Sequence, residues 1–422
     1  MGLRLGIDIG TSGCRAAAID AAGETVDSER VAIAEPRRDS AAVEQDPARW
    51  WEGVRAAVRG LTGRIDAAAI TGLAVDGTSG TVLVTDAEGE PLAPALLYND
   101  ARATAEGAAI DAVAPPDSPA RGAGSGLARA LWLLARHPEA AHLLHQADWI
   151  AGRLTGRFGH SDPNNALKTG WDPVAGEWPA WLARAGMDAQ RLPAVHPAGA
   201  DLGPLDPAVA ADLGLPATAR VGAGTTDSTA AVLAAGASEP GDAVTVLGST
   251  LVLKVVCAEP VADAETGVYS QPFGRYWLAG GASNSGGSTL RAFFDDDRLA
   301  ALTPSLDPEM PTGLDYYPLP ARGERFPVND PEQEPRMAPR PDDDARFLQG
   351  LLEGMAAIEA AGYTRLRELG APTPRRVMTL GGGARNPAWS RIRERALGVP
   401  VATRPAAEPA AGTARLAPAE GI

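Results

Sequence analysis

Between residues 5 and 15 the chain reads Leu-Gly-Ile-Asp-Ile-Gly-Thr-Ser-Gly-Cys-Arg. An apolar run thus delivers one carboxylate, Asp8, to the edge of a small, hydroxyl-bearing turn, Gly10-Thr11-Ser12-Gly13. Glycines let a backbone approach a polyanion closely. Successive amides in such a turn form an anion-binding concavity, to which the Thr11 and Ser12 hydroxyls add donors. A carboxylate at the strand end supplies the hard oxygen that a phosphate-bound Mg²⁺ takes. The pattern recurs. Asp76-Gly-Thr-Ser79-Gly80 follows the strand-like residues 70–75, Thr225-Thr-Asp227-Ser228 follows 220–224, and Gly248-Ser249-Thr250 divides 243–247 from 251–256. Any one of these is equally a tight turn; four at strand ends indicate one site assembled from several loops.

Two further stretches complete the chemistry. Asp227 stands between a strand-like run and a helix of small residues at 228–236, the junction where α/β folds place reacting groups. The glycine-rich Gly280-Gly-Ala-Ser-Asn284-Ser-Gly286-Gly287 leads into a helix, and the triple glycine of Gly381-Gly382-Gly383-Ala-Arg-Asn386 lets a flat group, an adenine or ribose, lie against backbone. Phosphoryl transfer asks little more than alignment, charge neutralisation and a base for the incoming hydroxyl. A carboxylate of ordinary pKa can be that base.

Residues 3–9, 14–20 and 25–33 read as an antiparallel meander. A helix follows from Asp46, its N-cap, and Pro47, at its first position, to about residue 60. Strands at 70–75 and 81–84 make this an α/β pattern, but not a dinucleotide-binding one. Residues 103–200 read as largely helical and broken by Pro and Gly. With the polar stretch 161–170, the region of about 100–200 reads as a sugar-binding insertion that walls a small-molecule pocket. Glu239-Pro-Gly-Asp242 marks the boundary between domains 1–240 and 241–422. The second half repeats the first, its hairpin around Gly248–Thr250 matching the one at Gly10–Gly13. A packed, proline-rich loop spans 300–345, a helix about 344–369 and a buried strand 376–380.

At 422 residues the chain is long enough for two domains with separate cores. With 45% hydrophobic and 22% charged residues it is an ordinary globular composition. A net charge of −15 argues against nucleic acid or an anionic membrane surface as partner. Cys14 and Cys257 fit a reducing compartment, and Cys14 reads as a packed residue, not a nucleophile. The five histidines, 137, 142, 145, 160 and 196, lack zinc-site spacing. Neither a signal-peptide pattern nor a membrane-length apolar run is present, so the chain reads as soluble and cytoplasmic.

Taken as a set, Gly6-Ile-Asp-Ile-Gly-Thr-Ser-Gly13, Asp76-Gly-Thr-Ser79, Gln146-Ala-Asp-Trp149, Asn164-Asn-Ala-Leu-Lys168, Gly224-Thr-Thr-Asp-Ser228, Leu247-Gly-Ser-Thr250, Gly280-Gly-Ala-Ser-Asn284, Tyr316-Tyr-Pro-Leu-Pro320 and Gly381-Gly-Gly-Ala384 resemble the FGGY carbohydrate kinases, most closely their short D-ribulokinase group. The resemblance implies the actin-like (ribonuclease H-like) ATPase fold, two α/β domains with a nucleotide cleft between them. It implies ATP and Mg²⁺ as cofactors and a sugar as substrate, with oligomeric state left open. Asp227 would be the catalytic base, and Asp8 (the metal ligand) with Thr11 would serve Mg-ATP. Asp8, Ser79, Asp227, Ser12, Gly13 and Arg15 would face the sugar. Thr11, Ser12, Gly248, Ser249, Thr250, Gly286, Gly287, Gly382, Gly383 and Asn386 would hold the nucleotide. The family's Trp-x-Asp-x-Arg segment stands here as Tyr98-Asn-Asp100-Ala-Arg102, which weakens any transfer of xylulokinase or glycerol kinase specificity. Its C-terminal Glu-Ala-aromatic-Gly reads Glu408-Pro409-Ala-Ala-Gly412. D-ribulose is the expected acceptor. D-xylulose or another pentulose or polyol is the rival in class, and a non-catalytic actin-like ATP-binding regulator the rival outside it.

Overall fold

Alternation along Leu3–Ile9 sets the architecture of the first half. Leu5, Ile7 and Ile9 are fully buried in one core with Trp50, Val54, Val58 and Leu61, so Gly6 and Asp8 belong to the other face of the strand. The partner helix, Pro47–Thr62, starts as its sequence dictates: the Asp46 carboxylate accepts from the Ala48 amide at 3.0 Å, and Pro47 opens the first turn. In this computed structural model, which describes residues 2–404 and 408–418, the strand order is Asp201–Pro204, Arg220–Thr226, Ile70–Gly77, Leu3–Ile9, Gly13–Ile19, Thr25–Ala32. The last three form the expected antiparallel meander, and Leu3–Ile9, Ile70–Gly77 and Arg220–Thr226 run parallel.

The region expected as a largely helical insertion is tied into earlier sequence. It holds the helices Thr104–Asp111, Gly126–Arg136 and Gln146–Thr155, yet its strand His142–His145 pairs with Val82–Thr85. That pairing completes a five-stranded sheet begun at Arg37–Asp39. A four-residue edge strand carries too little periodicity to be read locally, because its partner lies far away in sequence.

The second half repeats the first. Asp242–Leu247, Leu251–Cys257 and Tyr276–Ser283 are antiparallel neighbours, and Arg376–Leu380 and Val401–Thr403 extend the sheet in parallel from Asp242–Leu247. The 25-residue helix Asp344–Glu368 covers this sheet with Phe347, Leu351 and Met355. The proline-rich stretch before it is a packed loop, as expected, with Phe326 fully buried and Tyr316 nearly so.

By their contacts, the described parts of Met1–Ala234 and Glu408–Ile422 form one unit, and those of Ala235–Ala407 the other. The division therefore falls six residues ahead of the 240/241 boundary read from sequence, and the C-terminal helix Pro409–Ala414 packs with the first unit instead of the 241–422 half. Pro409 sits at its first helical position, where the missing amide costs nothing. No helix among the described residues is long and apolar enough to cross a membrane.

Candidate active site

Parallel register brings the acids of the first unit together. Asp8 lies opposite Asp76, and Asp76 opposite Thr225, two residues before Asp227 opens its helix Asp227–Ala235. Three carboxylates thus collect at the carboxyl ends of three adjacent strands, where ligands bind α/β sheets. Burial pushes the Asp8 carboxyl above its usual range, while a hydrogen bond with Asp76 and the guanidinium of Arg15 (Nη1 to Oδ2, 3.3 Å) pull against it. Asp76 is fully buried and is raised well above the carboxylate range, first by burial, then by the charge of Asp8. Its Oδ1 has no hydrogen-bond partner among the described residues.

Behind the acids, the Gly10–Gly13 turn is pinned from its inner side. Gly10 N donates to Gly13 O at 2.9 Å, and Ile33 N to Ser12 O at 3.0 Å. Gln45 Nε2 donates to the carbonyls of Thr11 and Ala34, and Gln45 Oε1 accepts from the Trp50 indole at 2.8 Å. The Ser12 side stays exposed and Thr11 half-buried, leaving the rim of the turn accessible to a phosphate. Gln45 went unremarked in the sequence because its role depends on the fold bringing it under a turn 34 residues away.

The loop after Ile70–Gly77 is equally constrained. Thr78 bonds Gln146 Oε1 through its amide (2.9 Å) and hydroxyl (2.8 Å), and Gly80 O accepts from the buried Arg129 guanidinium at 2.8 Å. Arg129 also donates to the carbonyls of Asp100 and Gly124, tying the 98–102 segment to this loop; burial lowers it to about 10. Amid these bonds the Ser79 Oγ is buried and meets no donor or acceptor among the described residues. A buried hydroxyl without a partner is costly, and a sugar hydroxyl is the kind of group that would satisfy it. Nearby, Asn164 Nδ2 donates to Thr225 Oγ1 at 3.0 Å and Asn165 Nδ2 to Thr225 O at 3.2 Å, bracing the strand that presents Asp227.

In the second unit a cavity of about 710 Å³ is lined by Gly248, Ser249, Gly287, Gly382, Gly383 and Asn386 among others, within the usual range for small-molecule sites. Six of the expected nucleotide residues therefore share one wall. Thr250 and Gly286, also expected there, do not line it; Gly248 N donates to Thr250 O at 3.2 Å, Gly287 N to Gly248 O at 2.9 Å and Ser288 N to Ser249 O at 3.1 Å. The glycines divide their work. A Cβ on Gly383 would lie 2.5 Å from the Trp389 ring, so Gly383 serves packing, whereas one on Gly382 would meet nothing within 4 Å. Gly382 is thus the open backbone that a flat group can cover. Asn386 caps the helix Pro387–Leu397, accepting from Trp389 N at 3.0 Å.

The donor set fits Mg-ATP in a particular way. Among the described residues no three His, Cys, Asp or Glu side chains cluster to hold a metal by themselves. Asp8 would offer a hard carboxylate to a phosphate-borne Mg²⁺. Cys14 is fully buried and its thiol is pushed up by that burial, in keeping with a packed residue. His145 is likewise internal, its Nδ1 2.5 Å from Asp148 Oδ2 and its Nε2 3.2 Å from Thr169 Oγ1.

Comparison with known proteins accounts for both halves. Residues 3–234 match the FGGY family of carbohydrate kinases, N-terminal domain, and residues 243–419 match the C-terminal domain of the same family. A xylulose kinase of Streptomyces coelicolor is 31% identical across 94% of this chain and 84% of its own length. One from Escherichia coli is 27% identical across 98% of this chain and 89% of its own. The crystal structure of a xyloylose kinase from Brucella ovis superposes with a TM-score of 0.88 at 27% identity, over 98% of this chain and 89% of that one. The duplicated sheets, the acids at their strand ends and these matches lead to one statement: the chain belongs to the FGGY family of carbohydrate kinases, phosphotransferases of the actin-like ATPase fold.

Proposed function

We propose that this kinase transfers the γ-phosphoryl group of ATP to a ketopentose, with D-ribulose as the acceptor to assay first. The observation that carries the reading is the set of three carboxylates at adjacent strand ends, with the partnerless Ser79 hydroxyl three residues past Asp76. Asp227 is positioned to accept the proton of the incoming sugar hydroxyl as that oxygen bonds phosphorus and the bond to the leaving phosphate oxygen breaks. Asp8 and Thr11 serve the Mg-ATP phosphates, and Mg²⁺ supplies charge neutralisation there. Ser79, with Ser12, Gly13 and Arg15, faces the sugar; Gly248, Ser249, Thr250, Gly286, Gly287, Gly382, Gly383 and Asn386 frame the nucleotide.

D-ribulose is favoured by the resemblance of the motif set to the short D-ribulokinase group, and Tyr98-Asn-Asp100-Ala-Arg102 weakens transfer of xylulokinase or glycerol kinase specificity. D-xylulose is the second reading, because the relatives above carry the name xylulose kinase. A non-catalytic regulator would have no use for Asp227 together with Asp8. Coupled ADP release with D-ribulose, D-xylulose, L-ribulose, ribitol and glycerol, ranked by kcat/KM, separates these readings. A preference for D-ribulose supports the proposal, and one for another sugar moves the specificity. ATP binding without stimulation by any sugar would leave the regulator. Asp227→Ala should lower sugar-dependent turnover by about 10² to 10⁴ with ATP binding retained, and unchanged turnover would remove Asp227 from the base role.

A further inference from the structure

We propose that Thr413, on the C-terminal helix, is a positioning residue that orients Asp8 through Asp76. The proposal rests on the Mg-ATP role assigned to Asp8 above. Thr413 is fully buried, and its Oγ1 donates to Asp76 Oδ2. The other oxygen of Asp76 has no hydrogen-bond partner among the described residues, and Asp8 is the register partner of Asp76 one strand over. A second route reaches Asp8 from the same helix. Glu408, its N-cap residue, lies 3.7 Å from Arg15 Nε, and Arg15 Nη1 bonds Asp8 Oδ2 at 3.3 Å.

Close packing keeps the helix from drifting out of this register. A Cβ on Gly6 would sit 1.8 Å from Ala410 O and 2.5 Å from Ala414 N. One on Gly412 would sit 2.0 Å from Ala230 O and 2.7 Å from Ala234 N. The helix Pro409–Ala414 is therefore seated backbone to backbone on the strand carrying Asp8 and on the helix begun by Asp227. At that seat, Thr413 is the side chain that reaches the acids. Holding Asp76 from behind fixes which way its carboxyl meets Asp8, and so which Asp8 oxygen is left for the phosphate-borne Mg²⁺.

The test compares wild type with Thr413→Val, which keeps the shape and removes the donor, Thr413→Ser, which keeps the donor, and Glu408→Gln, a change at a half-exposed side chain. For each, sugar-dependent kcat and KM, the Mg²⁺ concentration giving half-maximal rate, the calorimetric affinity for ATP with and without Mg²⁺, and the thermal midpoint are measured. Thr413→Val should lower kcat by up to roughly tenfold, the scale of one lost hydrogen bond. It should leave KM for the sugar within about twofold and weaken ATP binding only when Mg²⁺ is present. Thr413→Ser should recover most of the loss, and Glu408→Gln should raise the Mg²⁺ requirement at an unchanged thermal midpoint. Loss in both Thr413 variants in step with their thermal midpoints, or an unaltered Mg²⁺ response in Thr413→Val and Glu408→Gln, overturns the proposal. If no sugar stimulates the wild type, the kinase reading fails by itself, and the Mg²⁺ dependence of ATP affinity still decides whether Thr413 orients Asp8.

Discussion

Replacing Ser79 with alanine should separate ligand binding from folding with unusual clarity. Most buried hydroxyls are bonded, and their removal costs stability because the partner is stranded. Here the Oγ is buried and has no partner among the described residues, while the neighbouring Thr78 and Gly80 are held by Gln146 and Arg129. Deleting it strands nothing and relieves a desolvation penalty of about 1–3 kcal/mol. The free enzyme should therefore be as stable as wild type or more so. A sugar hydroxyl seated against Ser79 would lose one neutral hydrogen bond, about 0.5–1.5 kcal/mol, or about 2- to 12-fold in kcat/KM. Coupled ADP release gives the kinetic half, and thermal unfolding of the free and sugar-saturated enzyme gives the other. The reasoning predicts an undiminished midpoint for free enzyme and a smaller sugar-induced rise. A free variant that melts several degrees lower would mean that Ser79 is structurally bonded. An unchanged kcat/KM would place the sugar elsewhere.

Two other perturbations test the frame of the second unit. Arg393 and Glu359 are both buried and doubly bonded, at 2.6 and 2.7 Å, so Glu359→Ala should cost about 3–5 kcal/mol by stranding the guanidinium, read as a lowered urea midpoint; a loss under 1 kcal/mol would show that water reaches Arg393. Burial alone would raise Asp242, but bonds from Arg376 and from the Ser238 and Glu239 amides outweigh it and hold the carboxyl at about 2. Because that value lies below the ordinary 3.8, its contribution, about 2 kcal/mol, is present above pH 4 and fades as pH falls towards 2. The stability gap between wild type and Asp242→Asn should therefore narrow over that interval, and a gap constant with pH would assign the cost to shape.

Much of the site was legible because its chemistry is local. Asp8, Thr11, Ser79, Asp227 and the glycine turns announce themselves by residue type at strand ends, and parallel register then gathers the acids. Gly382 and Gly383 read alike in sequence, yet packing gives only the former an open face. Asp76 was visible within a repeated motif, but nothing local shows that it is enclosed against Asp8. Gln45, Arg129 and Thr413 could not be read at all. Each acts on a partner dozens to hundreds of residues away, and their types are unremarkable in their own segments. The strand His142–His145 escaped for the same reason, its identity residing in Val82–Thr85.

The helix Pro409–Ala414 also bears on how the molecule is made. Asp76 and Thr413 are 337 positions apart, and the whole of the second unit is synthesised in the interval. As the chain leaves the ribosome, the strand carrying Asp8 emerges long before the helix that seats on it. The nascent first unit must wait with the Gly6 side of its sheet uncovered, a long loop closure that slows the final step without weakening the product. Chains interrupted before residue 408 would carry every predicted sugar and nucleotide residue and still lack the helix whose Thr413 bonds Asp76.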